Sequence, residues 1–423
     1  MLRRPGRRGL ILVAAALALA AAGAGVAVYF HVRTPSKGGL VAPTAITVVT
    51  TDTTPVKRPP KQPPHRLVVE QPCWPAFGGG PLRSLARPDL TLGVPTRSIW
   101  ARGMGDLMEY PPTYCNGRLF VDLERGRTVA LEAATGKVLW SRPASGPTAS
   151  SPAIAGVNVV VSSHGGTVTA LRQRDGALVW QLQTNVPVES SPVVVGGTVY
   201  VGASDGRLFA LASATGRTRW IYDFRGRISS SPSVIGGLVC ITTYTGAVAC
   251  LHSADGALAW IDFFKRDAFR YESFYASASS DGAGHLFTVA RTGRLLALDA
   301  PTGNTLWTYY TGALTYGTPS VANGRVFVAD LSGGVAALRT TDGTRLWRTQ
   351  VPGRVLGPTL VVGNLVFFST LEGQTYAARA FDGRIVWHFR AGKYAPGIAT
   401  GKHYYLSLNG LLAAFAGERT PTP

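Results

Sequence analysis

The side chains able to do chemistry are few and scattered in this 423-residue chain. Four cysteines, at positions 73, 115, 240 and 250, are never adjacent. Seven histidines, at 31, 65, 164, 252, 285, 388 and 403, form no H-x-H or H-E-x-x-H pair that would bring two imidazoles to one metal ion. No G-x-S-x-G elbow presents a nucleophile, and there is no phosphate-cradling P-loop. Aspartates concentrate in turn-forming positions beside glycine, where accepting backbone hydrogen bonds explains them. Any site must therefore be assembled from distant parts of the chain, and the element that assembles it has to be found first.

That element is a repeat. Eight of the nine tryptophans fall at 100, 140, 180, 220, 260, 307, 347 and 387, spaced by 40 residues except for one interval of 47. A glycine stands four residues before seven of them, at 136, 176, 216, 256, 303, 343 and 383, and each glycine follows Thr or Asp. Thr-Gly and Asp-Gly between apolar runs are turn signals, because glycine supplies a positive φ. Each unit holds four short β-rich runs. In one they begin Ser191-Pro192-Val193-Val194-Val195 and Thr198-Val199-Tyr200-Val201, continue with Leu208-Phe209-Ala210-Leu211, and end at Trp220. Four strands per 40 residues describe a propeller blade. With 50 Gly and 28 Pro, a helical bundle is excluded.

Seven units end in Trp. After Trp387 come three further strand-like runs, at about 395–400, 403–408 and 411–415, with no fourth; Arg97-Ser98-Ile99-Trp100 is a fourth strand with no blade before it. The two incomplete ends complement each other. The pattern predicts an all-β, eight-bladed propeller of four-stranded antiparallel blades over residues 97–416, closed by the Trp100 strand, with no exposed sheet edge left at the seam.

The amino end differs. Arg3, Arg4, Arg7 and Arg8 form a short basic tail at 1–8, and residues 9–30 are uncharged. Twenty-two such residues suffice to cross a bilayer as a helix, and the basic flank places the tail in the cytoplasm and the propeller outside. Cleavage after Ala18-Leu19-Ala20, as in a secretory signal, is the alternative; the apolar run extending to Phe30 favours an uncleaved single-pass anchor in the cell membrane. Residues 31–72, rich in Pro and Thr, read as a stiff linker that holds the propeller off the membrane, followed by a pre-propeller segment at 73–96 and a tail at 417–423. Residues 1–66 hold ten Lys/Arg against Asp52, so about half of the net charge of +19 belongs to the tail and linker.

The repeated "dG-x-l-x-A-L" followed by "T/D-G-x-x-x-W" resembles the pyrroloquinoline-quinone-type (PQQ-like) propeller repeat. The inner "A-L" stands at Ala130-Leu131, Ala170-Leu171, Ala210-Leu211, Ala297-Leu298 and Ala337-Leu338, and Cys73-Trp74-Pro75-Ala76-Phe77-Gly78 resembles the segment that opens such propellers. The resemblance implies that Trp100, Trp140, Trp180, Trp220, Trp260, Trp307, Trp347 and Trp387 dock between blades, with Trp74 on the propeller flank. The family includes quinoprotein dehydrogenases, which it implies would carry a vicinal cysteine pair, an aspartate base and Ca²⁺ ligands. None of these is present as a motif, so the resemblance points to the non-catalytic branch, similar to the propeller lipoprotein of the outer-membrane barrel assembly machine, with no cofactor and no metal.

Three sets of residues remain as candidates. Glu189, in Val188-Glu189-Ser190-Ser191-Pro192, reads as the one acid at the start of an inner strand, placed at the channel mouth to bind a cation or polar ligand; a carboxylate that is merely solvated or paired with an arginine is the other reading. The 47-residue interval contains an insertion, 261–275, whose Arg270, Tyr271 and Phe274 mix aromatic and cationic groups in the manner of a protein contact; a loop that only packs its own aromatics on the rim is the other reading. The four cysteines allow three connectivities. Cys240 and Cys250 lie on adjacent strands; a two-residue turn at Thr245-Gly246 would point them to opposite faces, a shift by one residue would set them opposite each other, and Cys73 with Cys115 would tie the pre-propeller segment to the first blade. Four buried thiols are the other reading. The expected function is a membrane-anchored extracytoplasmic scaffold or ligand- and protein-binding module of the cell envelope, whose partner is an envelope protein or an anionic cell-wall polymer rather than nucleic acid; a quinoprotein dehydrogenase is the less favoured alternative.

Overall fold

Short apolar strands joined by glycine turns leave the chain no option but to fold back on itself every few residues. The hairpin between Val193–Val195 and Thr198–Gly202 shows how. Gly196 and Gly197 both have positive φ (55° and 74°), and Val195 pairs with Thr198. This is the two-residue turn whose twist matches that of the strands. Two more strands, Arg207–Ala212 and Thr218–Asp223, complete the blade.

The computed structural model describes residues 39–40, 48–50, 73–401, 403–408 and 410–419. They form eight blades of four antiparallel strands. Blade 1 begins at Thr113–Cys115, and blade 7 ends at Ile385–Phe389. Blade 8 takes three strands from Ile398–Ala399 through Leu411–Arg419 and its outermost strand, Leu92–Gly103, from the other end of the chain. Trp100 pairs there with Ala414, so the ring closes through the Trp100 strand and extends slightly beyond 97–416 on both sides. The expected membrane helix at 9–30 and most of the linker lie outside the described residues. Among the described residues no helix is long and apolar enough to cross a membrane.

The "A-L" repeat acquires a physical reason. In each blade the tryptophan of the outermost strand pairs with a small residue of the third strand: Ala130 with Trp140, Ala210 with Trp220, Ala337 with Trp347. The register shifts immediately after that small residue. The small side chain leaves room for the indole, and an aromatic of the second strand flanks it from the other side, as in Phe120–Trp140 and Phe327–Trp347 at 6.0 and 5.9 Å between ring centres. Blade 4 solves the same packing problem differently. Cys240 and Cys250 occupy the aromatic and alanine positions, sit directly opposite each other and form a buried disulfide beside Trp260. A second disulfide joins Cys73 to Cys115. The reading of four free thiols is therefore wrong.

The linker is not free along its length. Gly39–Leu40 pairs with the outer edge of blade 3, and Val48–Thr50 with that of blade 2. The pre-propeller segment is likewise part of the core. Residues 74 to 87 run around the inside of the ring, exchanging backbone hydrogen bonds in turn with Tyr114 of blade 1, Ile154 of blade 2, Val234 of blade 4, Ser280 of blade 5, Val321 of blade 6 and Val361 of blade 7. Trp74 is 1% exposed in this plug rather than on the flank.

Candidate functional site

In an antiparallel blade the leads into the innermost strands and the turns between second and third strands share one face. On that face the eight leads converge on a funnel of about 310 Å³. Its rim positions, taken in blade order, are Glu109 with Tyr110, Ala149, Glu189, Ser229, Tyr275, Tyr316, Leu356 and Tyr394, and Phe77 of the plug reaches it from behind. Beneath the rim a ladder of hydroxyls binds the blades together: the Ser151 amide donates to Ser191 Oγ (2.9 Å), Ser191 to Ser231 Oγ (3.0 Å), Ser231 to Ser277 Oγ (2.8 Å) and Ser277 to Thr318 Oγ1 (3.0 Å). This is the role of the second serine in each Ser-Ser-Pro.

The plug is held by Arg83. Its backbone lies between residues bonded to blades 5 and 6, and its side chain reaches back to blades 3 and 4. There the guanidinium donates to the carbonyls of Ser191, Pro192 and Pro232, and also to that of Phe77, at 2.5–3.1 Å. Arg83 is fully buried and faces these carbonyls and the Phe77 ring. Burial pulls its pKa down to about 9, so it remains charged at neutral pH. Buried charge needs such complete hydrogen bonding to be tolerated.

Glu189 does stand at the funnel mouth, and it is paired: Arg227 donates to both carboxylate oxygens at 2.6 and 2.8 Å, and Ser229 adds a third bond at 3.0 Å. Burial works to raise its pKa, but the Arg227 and Ser229 bonds outweigh this and hold it below the ordinary value. It is not the only acid at such a position. Glu109, two 40-residue periods earlier, occupies the same place in blade 1; burial and the neighbouring Glu124 push its pKa up. Tyr110 stands edge-on to Phe77, and burial with Glu109 and Glu189 nearby pushes its phenol to about 12.

The insertion folds as a small hairpin on this same face, bridged between Lys265 and Tyr271. Arg270 is exposed, 3.7 Å from Asp267, and Tyr271 is half-buried. Phe274 is fully buried, edge-on to Phe264, so it anchors the hairpin and is not a surface contact. The exposed apolar side chain is Phe269. The hairpin delivers Tyr275 to the rim, between Tyr244 (5.2 Å) and Tyr316 (5.2 Å). Burial and the neighbouring Tyr244 push the Tyr275 phenol to about 12, and Arg291 lies beside Tyr316. This tyrosine row was not singled out in the sequence, since its members come from three blades and follow no period.

The tryptophans lock neighbouring blades. Seven indole Nε1 groups donate to a carbonyl of the next blade, as from Trp180 to Ser213 at 2.9 Å and from Trp307 to Thr340 at 2.8 Å. The eighth, Trp387, stacks on Phe389.

A sequence model of the family described as outer membrane protein assembly factor BamB matches residues 94–309 and 291–419. The chain belongs to this PQQ-like propeller family. No curated protein sequence matches it. Among solved structures it is similar to BamB from Moraxella catarrhalis (17% identity, 77% of this chain and 99% of that one, TM-score 0.61). It is also similar to quinohemoprotein alcohol dehydrogenase from Comamonas testosteroni (13%, 83% and 82%, TM-score 0.67). A computationally designed protein, Ika8, is similar to the same degree (12%, 76% and 100%, TM-score 0.65). An outer membrane protein assembly factor, an enzyme and a designed protein thus share the architecture, and function has to be argued from the site.

Quinone and Ca²⁺ can be tested against the residues present. Among the described residues no group of three His, Cys, Asp or Glu is placed to hold a metal ion. Both disulfides lie away from the funnel and neither joins adjacent cysteines. These residues do not fit the quinone.

Proposed function

We propose that this chain is a non-catalytic binding module of the cell envelope, tethered through residues 9–30, which engages a protein partner on its funnel face. The row of tyrosines 244, 275 and 316, running from the rim into a funnel closed behind by Phe77, carries the reading. Tyrosines offer large, stiff, amphipathic contact area with little rotamer entropy to lose, and they anchor interfaces for that reason. The Glu189–Arg227 pair and Arg291 supply oriented charge beside them. Arg270, Tyr271 and Phe269 extend the same face outward. BamB is itself described as an assembly factor, which agrees with a protein partner.

The test is capture of envelope proteins by the full-length chain alongside its thermal melting, for Tyr275→Ala and Tyr316→Ala. Each should weaken capture by roughly tenfold or more, with melting little changed. Unchanged capture in both variants would remove the funnel face as the docking surface. Arg270→Ala, measured the same way, decides whether the hairpin belongs to the contact.

A further inference from the structure

The opposite face of the ring, which carries the turns between first and second and between third and fourth strands, has a cleft of its own. It lies between the plug and blades 1 and 2 and measures about 1020 Å³. Four arginines line it: Arg87 from the plug, Arg118 from blade 1, and Arg172 and Arg174 from blade 2. Their counter-charges are incomplete. Asp89 binds Arg87 through two hydrogen bonds of 2.8 and 2.6 Å, and Asp175 is shared between Arg172 (3.2 Å) and Arg174 (3.0 Å). Arg118 has no carboxylate within ion-pair distance among the described residues, and its buried Nε has no hydrogen-bond partner there.

A buried guanidinium N–H left so is costly unless an acceptor completes it, and an oxyanion is the acceptor that also answers the charge of the cleft. In sequence the linker is itself net cationic. The segment entering at Cys73 carries Lys57, Arg58, Lys61 and Arg66 against Asp52 and Glu70, so it adds cationic character. The cleft is also far larger than one oxyanion requires, and its guanidinium groups are spread over three elements. Such a site suits a chain of anionic groups, each taken by the forked donors of one arginine.

We infer that this cleft binds a phosphate-bearing linear polyanion, with Arg118 and Arg172 as its principal contacts. The site is independent of the funnel reading: it lies on the other face and shares with the funnel no residue that its test alters.

The test uses the full-length chain in uncharged detergent and inorganic polyphosphate of about ten units as probe. Saturable binding that weakens with added salt is expected, reduced about tenfold or more in Arg118→Gln/Arg172→Gln, since each change removes a charge-assisted hydrogen bond. Arg384→Gln, on blade 7 of the same face, should bind as the unaltered chain does. Arg172→Gln/Arg174→Gln, with melting recorded for every variant, replaces the first pair if Arg118→Gln does not fold. The inference is overturned by no saturable binding, by equal loss in Arg384→Gln, or by equally tight binding of polyglutamate, which would make the effect one of net charge. Binding to phosphatidylglycerol vesicles without binding to soluble polyphosphate would overturn it in favour of a membrane-facing surface.

Discussion

The indole of Trp180 lies directly on the backbone of Gly216 in the next blade. A β-carbon at 216 would stand 2.6 Å from the Trp180 ring, and the same ring donates to Ser213 at 2.9 Å. The contact recurs between Trp100 and Gly136, Trp140 and Gly176, Trp220 and Gly256, Trp260 and Gly303, Trp307 and Gly343, and Trp347 and Gly383. Tryptophan and glycine therefore repeat together because each of these seven tryptophans needs the glycine of the following blade. Gly216→Ala combines a left-handed backbone (φ 71°) with a clash and should cost about 2–4 kcal/mol. Gly196→Ala, at φ 55° with nothing within 4 Å of the new carbon, should cost only the backbone strain of about 1–2 kcal/mol. Denaturant unfolding of the two variants checks the difference; equal losses would show that the Trp contact contributes nothing.

Blade 4 offers a test of its disulfide as a packing element. Cys240→Phe/Cys250→Ala recreates the Phe–Ala–Trp arrangement of blades 1, 5, 6 and 7 around Trp260. It should unfold at higher denaturant than Cys240→Ala/Cys250→Ala by about 2–3 kcal/mol, because the latter leaves a cavity. If the alanine pair is as stable, the volume argument fails.

Asp122 is buried in blade 1. Its Oδ1 accepts from Thr128 at 2.6 Å, and its Oδ2 has no hydrogen-bond partner among the described residues. Burial raises its pKa to about 7, outweighing the Thr128 hydrogen bond and the nearby Ser150 hydroxyl. A raised folded pKa means that the folded state holds the proton more tightly than the unfolded one. The associated stability is fully present below pH 4 and is lost as pH rises through 7. Asp122→Asn should remove this slope and be the more stable protein above pH 8. Melting from pH 5 to 9 measures it, and parallel curves for both proteins would place the titration elsewhere.

The ring was legible because it is periodic: a 40-residue spacing of Trp survives any uncertainty about single strands, and the orphan strand at Trp100 had only one place to go. What has no period was not legible. Arg83 is bound entirely by backbone carbonyls, which leave no trace in residue identity, so the plug read as a preamble. Whether Cys240 met Cys250 depended on the loop between their strands; pairing ends at Thr242 with Val248, leaving a longer turn than Thr245-Gly246 alone. Phe274 looked like a contact because an insertion offers no neighbouring blade against which to judge burial. Glu109 was within reach at twice the repeat length before Glu189, but Tyr110-Pro111-Pro112 stands there in place of Ser-Ser-Pro and hid the equivalence.

Arg83 fastens the plug to blades 3 and 4, and its loss should be felt at every blade the plug touches. Arg83→Met should cost about 3–5 kcal/mol, since it leaves four buried carbonyls without their donor. Hydrogen exchange should speed up together at the amides of Ile154, Val234, Val321 and Val361, which donate to the plug. Exchange confined to Val234 would mean that Arg83 holds only its local contacts.

The central claim is that the funnel face meets a partner, and site-specific photo-crosslinking in cells tests it most directly. A photoreactive residue is placed in the full-length chain at 275 or 316 on the tyrosine row, or at the exposed Leu306 on an outermost strand. One adduct of discrete mass is expected from both 275 and 316 and none from 306. The same adduct from all three positions, or adducts from 306 alone, would contradict the claim.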